Sequence, residues 1–396
     1  FLQIKDGKPW KVHALTGRAE PLYDADALAA ALAALPTIDR KAADSLASRA
    51  HHSLNPARTA AFFTHENDLY YATLDGSTAR RLTSTPQPEE LPSFSPDGAF
   101  VAFVRDHNLY VVDVATATER ALTTDGSDTI RNGKADWVYF EEVFNRNWRT
   151  YWWSPDSTRI AFFRTDSSRV PIHTLTNDTG PTQQVETARY PRPGEPNPSV
   201  RLGIVTVAGG SPTFMDASDY DHDNHLITAV GWWPDSSALW CCIQNRTQTW
   251  LDFCSLPPGG GKPKRLFRDT TEAWIDAPAD PLFLKSDGSF LITSERTGFK
   301  HLYHYDKSGK LLGPITRGDW EVRTAHLIDE ANRLVYFTAT KDDPTALHLY
   351  RTTLPSDAGD ERPTQSPSSS SSTANPRGPQ DTPTPEPQIT RLTPDP

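Results

Sequence analysis

Phe94-Ser95-Pro96-Asp97-Gly98-Ala99-Phe100-Val101-Ala102-Phe103 decides the fold of this chain, because it occurs more than once. It returns as Trp153-Ser154-Pro155-Asp156-Ser157-Thr158-Arg159-Ile160-Ala161-Phe162, and more weakly as Trp233-Pro234-Asp235-Ser236-Ser237-Ala238-Leu239-Trp240. Each copy reads as an aromatic strand end, a Pro-Asp turn and an alternating strand. A second landmark is Asp68-Leu69-Tyr70, Asn108-Leu109-Tyr110, His301-Leu302-Tyr303 and His348-Leu349-Tyr350. A third closes most units: Arg81-Leu82-Thr83, Ala121-Leu122-Thr123, Pro314-Ile315-Thr316 and Arg391-Leu392-Thr393. Turn, strand, turn, strand at roughly 40-residue spacing is the pattern of four-stranded propeller blades.

Length alone suggests two or three domains for 396 residues, but self-similarity takes priority. The repeats mark seven units, 1–22, 55–85, 90–123, 150–207, 225–267, 282–316 and 324–393. The predicted fold is therefore an all-β propeller of about seven blades, the first partial. In unit one only a closing half is expected, from Trp10 through Leu22, so that the chain begins inside a blade. One insertion, about 24–50, is helical in character: Asp24 or Asp26 can cap Ala27 to Leu35, and Pro36 ends the run. The stretch from Pro355 to Gln388 has no Val, Ile, Leu, Met or aromatic residue. It is expected to be a disordered hairpin loop, since Leu349-Tyr350-Arg351 before it and Ile389-Thr390-Arg391 after it read as adjacent strands of one blade.

A formal net charge of −10 argues against nucleic acid or an anionic membrane as a partner. No apolar run is long enough to span a bilayer, and no charged-then-apolar leader is read at Phe1, so any signal peptide is expected to lie outside these residues. Cys241, Cys242 and Cys254 are too few for a disulfide scaffold and are expected to be buried free thiols. Asp219-Tyr220-Asp221-His222-Asp223-Asn224-His225 resembles the opening of a calcium loop, but Asn224 and Val230 stand where Gly and Glu are needed. That segment and His51-His52 are read as polar loops, with no metal and no cofactor. Asn177-Asp178-Thr179 and Asn245-Arg246-Thr247 are glycosylation sequons of a length that arises by chance.

The segment that points to function is Asp136-Trp137-Val138-Tyr139-Phe140-Glu141-Glu142-Val143-Phe144. Two adjacent carboxylates among aromatic rings raise each other's pKa, and they suit a site that holds a cation. An ammonium about 4 Å from a carboxylate gains roughly 4 kcal/mol at an effective dielectric near 20. Neighbours on a strand point to opposite faces, whereas on a helix or tight turn they can converge. Trp137, Phe140, Glu141 and Phe144 follow helical spacing and predict a short helix. The alternative is a helical surface segment with two solvated glutamates.

That segment, followed by Trp152-Trp153-Ser154-Pro155-Asp156, resembles the N-terminal propeller of the dipeptidyl peptidase IV family of serine exopeptidases. Arg169-Val170-Pro171, Arg189-Tyr190-Pro191-Arg192-Pro193-Gly194 with Asn197-Pro198, Asn245-Arg246-Thr247-Gln248, Ser294-Glu295-Arg296-Thr297-Gly298 and Gly318-Asp319-Trp320-Glu321-Val322 look like its bacterial branch. The resemblance implies an eight-bladed-type propeller, here incomplete at both ends, that caps an α/β-hydrolase domain of the same full-length protein. It implies that Glu141 and Glu142 hold the free α-amine of a peptide substrate, limiting release to N-terminal dipeptides, usually after proline or alanine. It further implies a periplasmic or secreted protein and leaves a homodimer open.

Two departures stand out. Phe140 replaces the acidic residue that precedes the pair in the family, and the region around Ala57-Arg58-Thr59 lacks the insertion that carries the family's carbonyl-binding arginine. No Gly-x-Ser-x-Gly elbow occurs in these residues, so they are not expected to hydrolyse peptides alone. Two other readings remain: a stand-alone binding propeller of the TolB or WD type, and the propeller of a tripeptidyl-releasing sister enzyme.

Overall fold

A Pro-Asp turn needs partners for the backbone groups it exposes, and the repeated serine and aspartate supply them. In a computed structural model, which describes residues 1–5, 8–49, 51–355 and 388–394, Ser95 Oγ donates to Asp97 Oδ1 at 2.6 Å and accepts from Phe100 N–H at 3.0 Å. Ala99 N–H donates to Asp97 Oδ1, and Gly98 closes the turn onto Ser95 O with φ of +76°. Ser154 and Asp156 repeat the arrangement, with Ser154 Oγ bonded to Asp156 Oδ1 and to Arg159 N–H.

The other two landmarks are halves of one clasp. Thr83 Oγ1 accepts the N–H of Leu69, Thr123 that of Leu109, Thr316 that of Leu302 and Thr393 that of Leu349, at 2.8 to 3.1 Å. The residue before each leucine meets the same hydroxyl: Asp68, Asn108, His301 and His348. Each clasp ties the third strand of a sheet to the turn that ends the fourth.

Eight antiparallel sheets result among the described residues, seven of them successive blades and the eighth a two-stranded hairpin of Ile172–Asn177 and Gln184–Arg189. The first has three strands, Leu2–Lys5, Lys8–Val12 and Ala19–Pro21, so an opening strand precedes the half expected from sequence. Four-stranded sheets follow at Ser53–Arg81, Glu90–Ala121, His225–Thr270, Leu282–Pro314 and Val322–Arg391, each in chain order. The fold is that of a β-propeller, built from four-stranded meander blades. Tyr350 pairs with Arg391 and Arg351 with Thr390, as the flanks of the low-complexity stretch suggested; the expected disorder of that stretch concerns residues 356–387, which lie outside the described residues.

By contact density the chain forms two compact units, one of residues 1–247 and 252–265, the other of 248–251 and 266–396. In the first unit, strand side chains alternate between two cores. Val101 and Phe103 join Phe62, Leu69 and Val112, while Ala102 and Val104 join Tyr151, Ile160 and Phe162. Helices Ala25–Ala33 and Arg40–Ala47 lay Leu28, Leu32 and Leu46 on Phe63 and Tyr70 of the second sheet. Asp24 is the cap of the first helix, accepting from Asp26 and Ala27 N–H. In the second unit, Leu291, Leu302, Val335, Phe337 and Tyr350 form one core.

The remaining sheet departs from the meander and positions the site. Its order is Ile130–Asn132, Arg159–Asp166, Ser199–Thr206 and Thr213–Phe214, with Tyr151–Trp153 also paired to Arg159–Asp166. Asn132 faces Arg164 and Tyr151 faces Phe162, so both short strands lie end to end on one ladder. Phe163 joins them, its carbonyl accepting from Gly133 N–H and its N–H donating to Thr150 O. The first strand of this blade is thus split, and residues 134–149 leave it as an excursion. Sequence had begun this unit at residue 150.

Candidate functional site

The excursion is closed at its neck by a Lys134–Arg149 bridge and by Ala135 N–H donating to Trp148 O. Asp136 starts the turn beyond, its two oxygens accepting from Val138 and Tyr139 N–H at 3.2 and 3.1 Å. Burial pushes the Asp136 carboxyl upward, while these two N–H donors act in the opposite direction. Tyr139–Val143 then forms a π-helical turn, with Phe144 N–H donating to Tyr139 O at 2.8 Å. A short helix was expected; the wider turn is a difference with consequences, because it brings residue i+5 rather than i+4 back to residue i.

The aromatic residues divide into two groups around this turn. Tyr139 and Phe144 pack on Phe163, and Phe144 also meets Trp152. Tyr139 is fully enclosed, its hydroxyl accepting Ile227 N–H at 3.2 Å, and burial raises its pKa. On the outer side Phe140 stacks on Trp148 with ring centroids 3.8 Å apart. Exposed Trp137 meets Phe140 and Tyr190. The two most distinctive segments of the sequence, around Glu141-Glu142 and around Tyr190-Pro191, are thereby brought together.

The carboxylates themselves stand at the surface of the turn rather than among the buried rings. Glu142 is exposed, and no described side chain bonds to it. Glu141 is 28 % exposed, and its Oε1 accepts from both Nε and Nη2 of Arg146, at 3.2 and 3.1 Å. Arg146 was not among the residues singled out from sequence. Its five-residue offset from Glu141 matches no α-helical pairing, and the chain reversal after the π-turn brings the two together. Asn145 and Arg146 both have left-handed backbone, φ +46° and +67°, which costs a non-glycine residue energy. Arg146 N–H donates to Phe140 O at 2.8 Å and holds the reversal.

Several motif residues serve the framework instead. Arg169 pairs with Asp223, Arg189 donates to Val170 O, and Arg246 donates to Glu195 O. Asn245 of the second sequon is buried and donates to Thr247 Oγ1 at 2.7 Å, so in the folded chain its amide serves the framework. In the 219–225 loop, Asp223 also binds His222, whose other nitrogen meets Ser199 Oγ. Among the described residues no cluster of His, Cys, Asp and Glu is arranged to hold a metal ion. Cys241, Cys242 and Cys254 are buried and form no disulfide. Tyr139 lines a cavity of about 590 Å³ together with Ser199, Arg201, Asp216, His222 and His225, and neither Glu141 nor Glu142 reaches it. Among the described residues no helix is long and apolar enough to cross a membrane.

The family model of the dipeptidyl peptidase IV N-terminal region matches residues 85–375. A probable dipeptidyl-aminopeptidase B of Emericella nidulans is 33 % identical over 293 residues, covering 67 % of this chain and 32 % of the relative. A probable dipeptidyl peptidase 4 of Aspergillus flavus is 28 % identical over 73 % of the chain and 39 % of the relative. Among solved structures, dipeptidyl peptidase 4 of Porphyromonas gingivalis superposes with a TM-score of 0.74 at 24 % identity, covering 89 % of this chain and 50 % of that one. A putative dipeptidyl aminopeptidase IV of Bacteroides ovatus gives 0.72 at 20 % identity with the same coverage. These two likenesses show the fold. The chain spans 32 % and 39 % of the length of the two fungal relatives.

Proposed function

The chain belongs to the dipeptidyl peptidase IV N-terminal-region family, and from that premise we propose that it is the part of a serine-type dipeptidyl peptidase that admits peptides and reads their free N-terminus. Glu141 and Glu142 bind the substrate's α-ammonium, and the α/β-hydrolase domain of the full-length protein cuts after the second residue, usually proline or alanine. The observation that carries this reading is the split strand. A blade that needed only to pair would run straight from Asn132 to Tyr151; this one leaves its ladder to present two adjacent carboxylates on a turn anchored by Tyr139 and Phe144.

The chemistry follows from charge. A primary ammonium has three N–H donors, enough to engage two carboxylates at once, and charge-assisted bonds of this kind are about twice as strong as neutral ones. An acylated or internal amine offers no such charge, so the site counts residues from the chain end. Exposed Ile172, Leu175 and Val185 on the hairpin Ile172–Asn177 and Gln184–Arg189 suit burial against a second copy, which is how a homodimer would form. The full-length protein would act in the periplasm or outside the cell.

The test is an assay of the full-length protein on Ala-Pro and Gly-Pro chromogenic substrates and on their N-acetylated forms. Replacement of Glu142 by Gln should reduce kcat/KM for the free amines and leave the acetylated forms unchanged. Equal losses on both would show that the pair is structural, and no dipeptide release at all would leave a binding propeller.

A further inference from the structure

Arg146 is a cation already seated on the site that is proposed to receive one. Its guanidinium reaches Glu141 Oε1 through two donors, at 3.2 and 3.1 Å, and leaves Oε2 outside the contact. The contact is built rather than incidental: the chain adopts two consecutive left-handed residues, Asn145 and Arg146, to bring the side chain back. The reversal is locked by Arg146 N–H on Phe140 O and Asn147 N–H on Phe144 O. Strain of this kind persists where the surroundings over-determine it, and it gathers at switches and ligand clamps. The Arg146 side chain itself remains 74 % exposed, so it can leave without unpacking anything.

We infer that Arg146 is a resident counter-ion of the amine site, a specificity-determining residue that competes with the incoming ammonium for Glu141. The inference rests on the reading of Glu141 and Glu142 as the amine-binding pair. With Arg146 in place the local charge of the two carboxylates is halved, and a bare cation gains little by entering. Glu142, which no described side chain engages, makes the first contact. Glu141 is released only to a ligand whose remaining contacts, along the peptide, compensate for displacing the guanidinium. The device thus favours peptides over simple amines and metal cations, and it keeps two adjacent carboxylates compatible when no substrate is bound.

The experiment compares Arg146→Gln, Arg146→Lys, Glu141→Gln, Glu142→Gln and the Arg146→Gln/Glu141→Gln double variant in the full-length protein. Each is assayed on Ala-Pro p-nitroanilide and its N-acetyl form. Exposed ion pairs are weak, so Arg146→Gln should lower KM for the free amine by roughly two- to five-fold, with kcat little changed and the acetylated substrate unaffected. Arg146→Lys, which keeps the charge, should stay near the parent. Glu141→Gln should cost more in the Arg146→Gln background than alone, because the competitor that masks Glu141 has gone. An unchanged or raised KM in Arg146→Gln overturns the inference while the glutamate losses stand. If Glu141→Gln and Glu142→Gln show no preference between free and acetylated substrates, the amine-site reading itself has failed.

Discussion

Ser157 Oγ accepts the backbone N–H of Asp97 at 3.1 Å, although the two residues lie in the turns of neighbouring sheets. Ser236 does the same for Asp156 at 3.0 Å. Both serines occupy the turn position that Gly98 fills in the first copy, and both keep its left-handed backbone, φ +60° and +58°. A glycine would relieve that strain but has no hydroxyl to offer. The serine is kept because it staples one blade turn to the one before.

Replacing Ser157 by alanine should therefore destabilise the protein by about 0.5–1.5 kcal/mol, since the strain remains and a part-buried hydrogen bond is lost. Glycine at the same position should cost less, because relief of the left-handed backbone offsets part of the loss. Chemical denaturation of the two variants gives the comparison. Equal costs would mean that the left-handed backbone carries no strain, and an alanine variant as stable as the parent would mean that the staple contributes nothing.

Arg105 should be intolerant of neutral replacement. Its guanidinium binds Glu89 at 3.1 Å and Glu119 at 2.7 Å and lies over the Tyr110 ring. The Glu89 side chain is fully enclosed, and burial already pushes its carboxyl pKa upward. Arg105→Met would leave that carboxylate buried without its cation, a change that costs about 3–5 kcal/mol. Arg105→Met combined with Glu89→Gln should recover much of the loss, as measured by denaturation.

Stability should also fall in mild acid through His52. Its Nε2 bonds to the Tyr23 hydroxyl, which donates to Ala47 O, and its ring packs edge-on against Phe63. Burial, with Arg49 adding to it, lowers the His52 pKa from 6.5 to about 4. Between these values the unfolded chain holds a proton that the folded chain does not, so stability rises with pH. The contribution is complete above the unfolded value and is lost as pH falls toward 4. After discounting for solvent screening it is on the order of 1–2 kcal/mol. His52→Phe should flatten this part of the pH profile of the melting temperature; an unchanged slope would assign it to other groups.

At the proposed amine site the two glutamates should not be equivalent. Removing one partner of a desolvated charge pair costs about 2–5 kcal/mol, roughly 30- to several-thousand-fold in kcat/KM. Glu142→Gln should sit high in that range and Glu141→Gln low, because Arg146 already occupies one oxygen of Glu141. Steady-state kinetics on a free-amine substrate separates the two, and equal losses would show that Arg146 does not weigh on the pair.

Much of the fold was legible because its signals are local or repeat. The Ser-Pro-Asp turns bond within five residues, Asp24 caps the helix it precedes, and the Leu and Thr landmarks recur with their clasp intact at Leu69–Thr83 and Leu302–Thr316. The acidic pair was legible too, since two glutamates in an aromatic segment are unusual wherever they fall. Tertiary structure decided how that pair is presented. Helical spacing from Trp137 to Phe144 is compatible with an α-turn, and only the bonds actually made, Phe144 N–H to Tyr139 O, widen it to a π-turn. The left-handed reversal at Asn145 and Arg146 that follows it sets Arg146 on Glu141. The split strand was hidden for a related reason: Ile130–Asn132 and Tyr151–Trp153 become one ladder edge only when both find Arg159–Asp166, and a register shared across residues 134–149 leaves no periodic trace in the residues between.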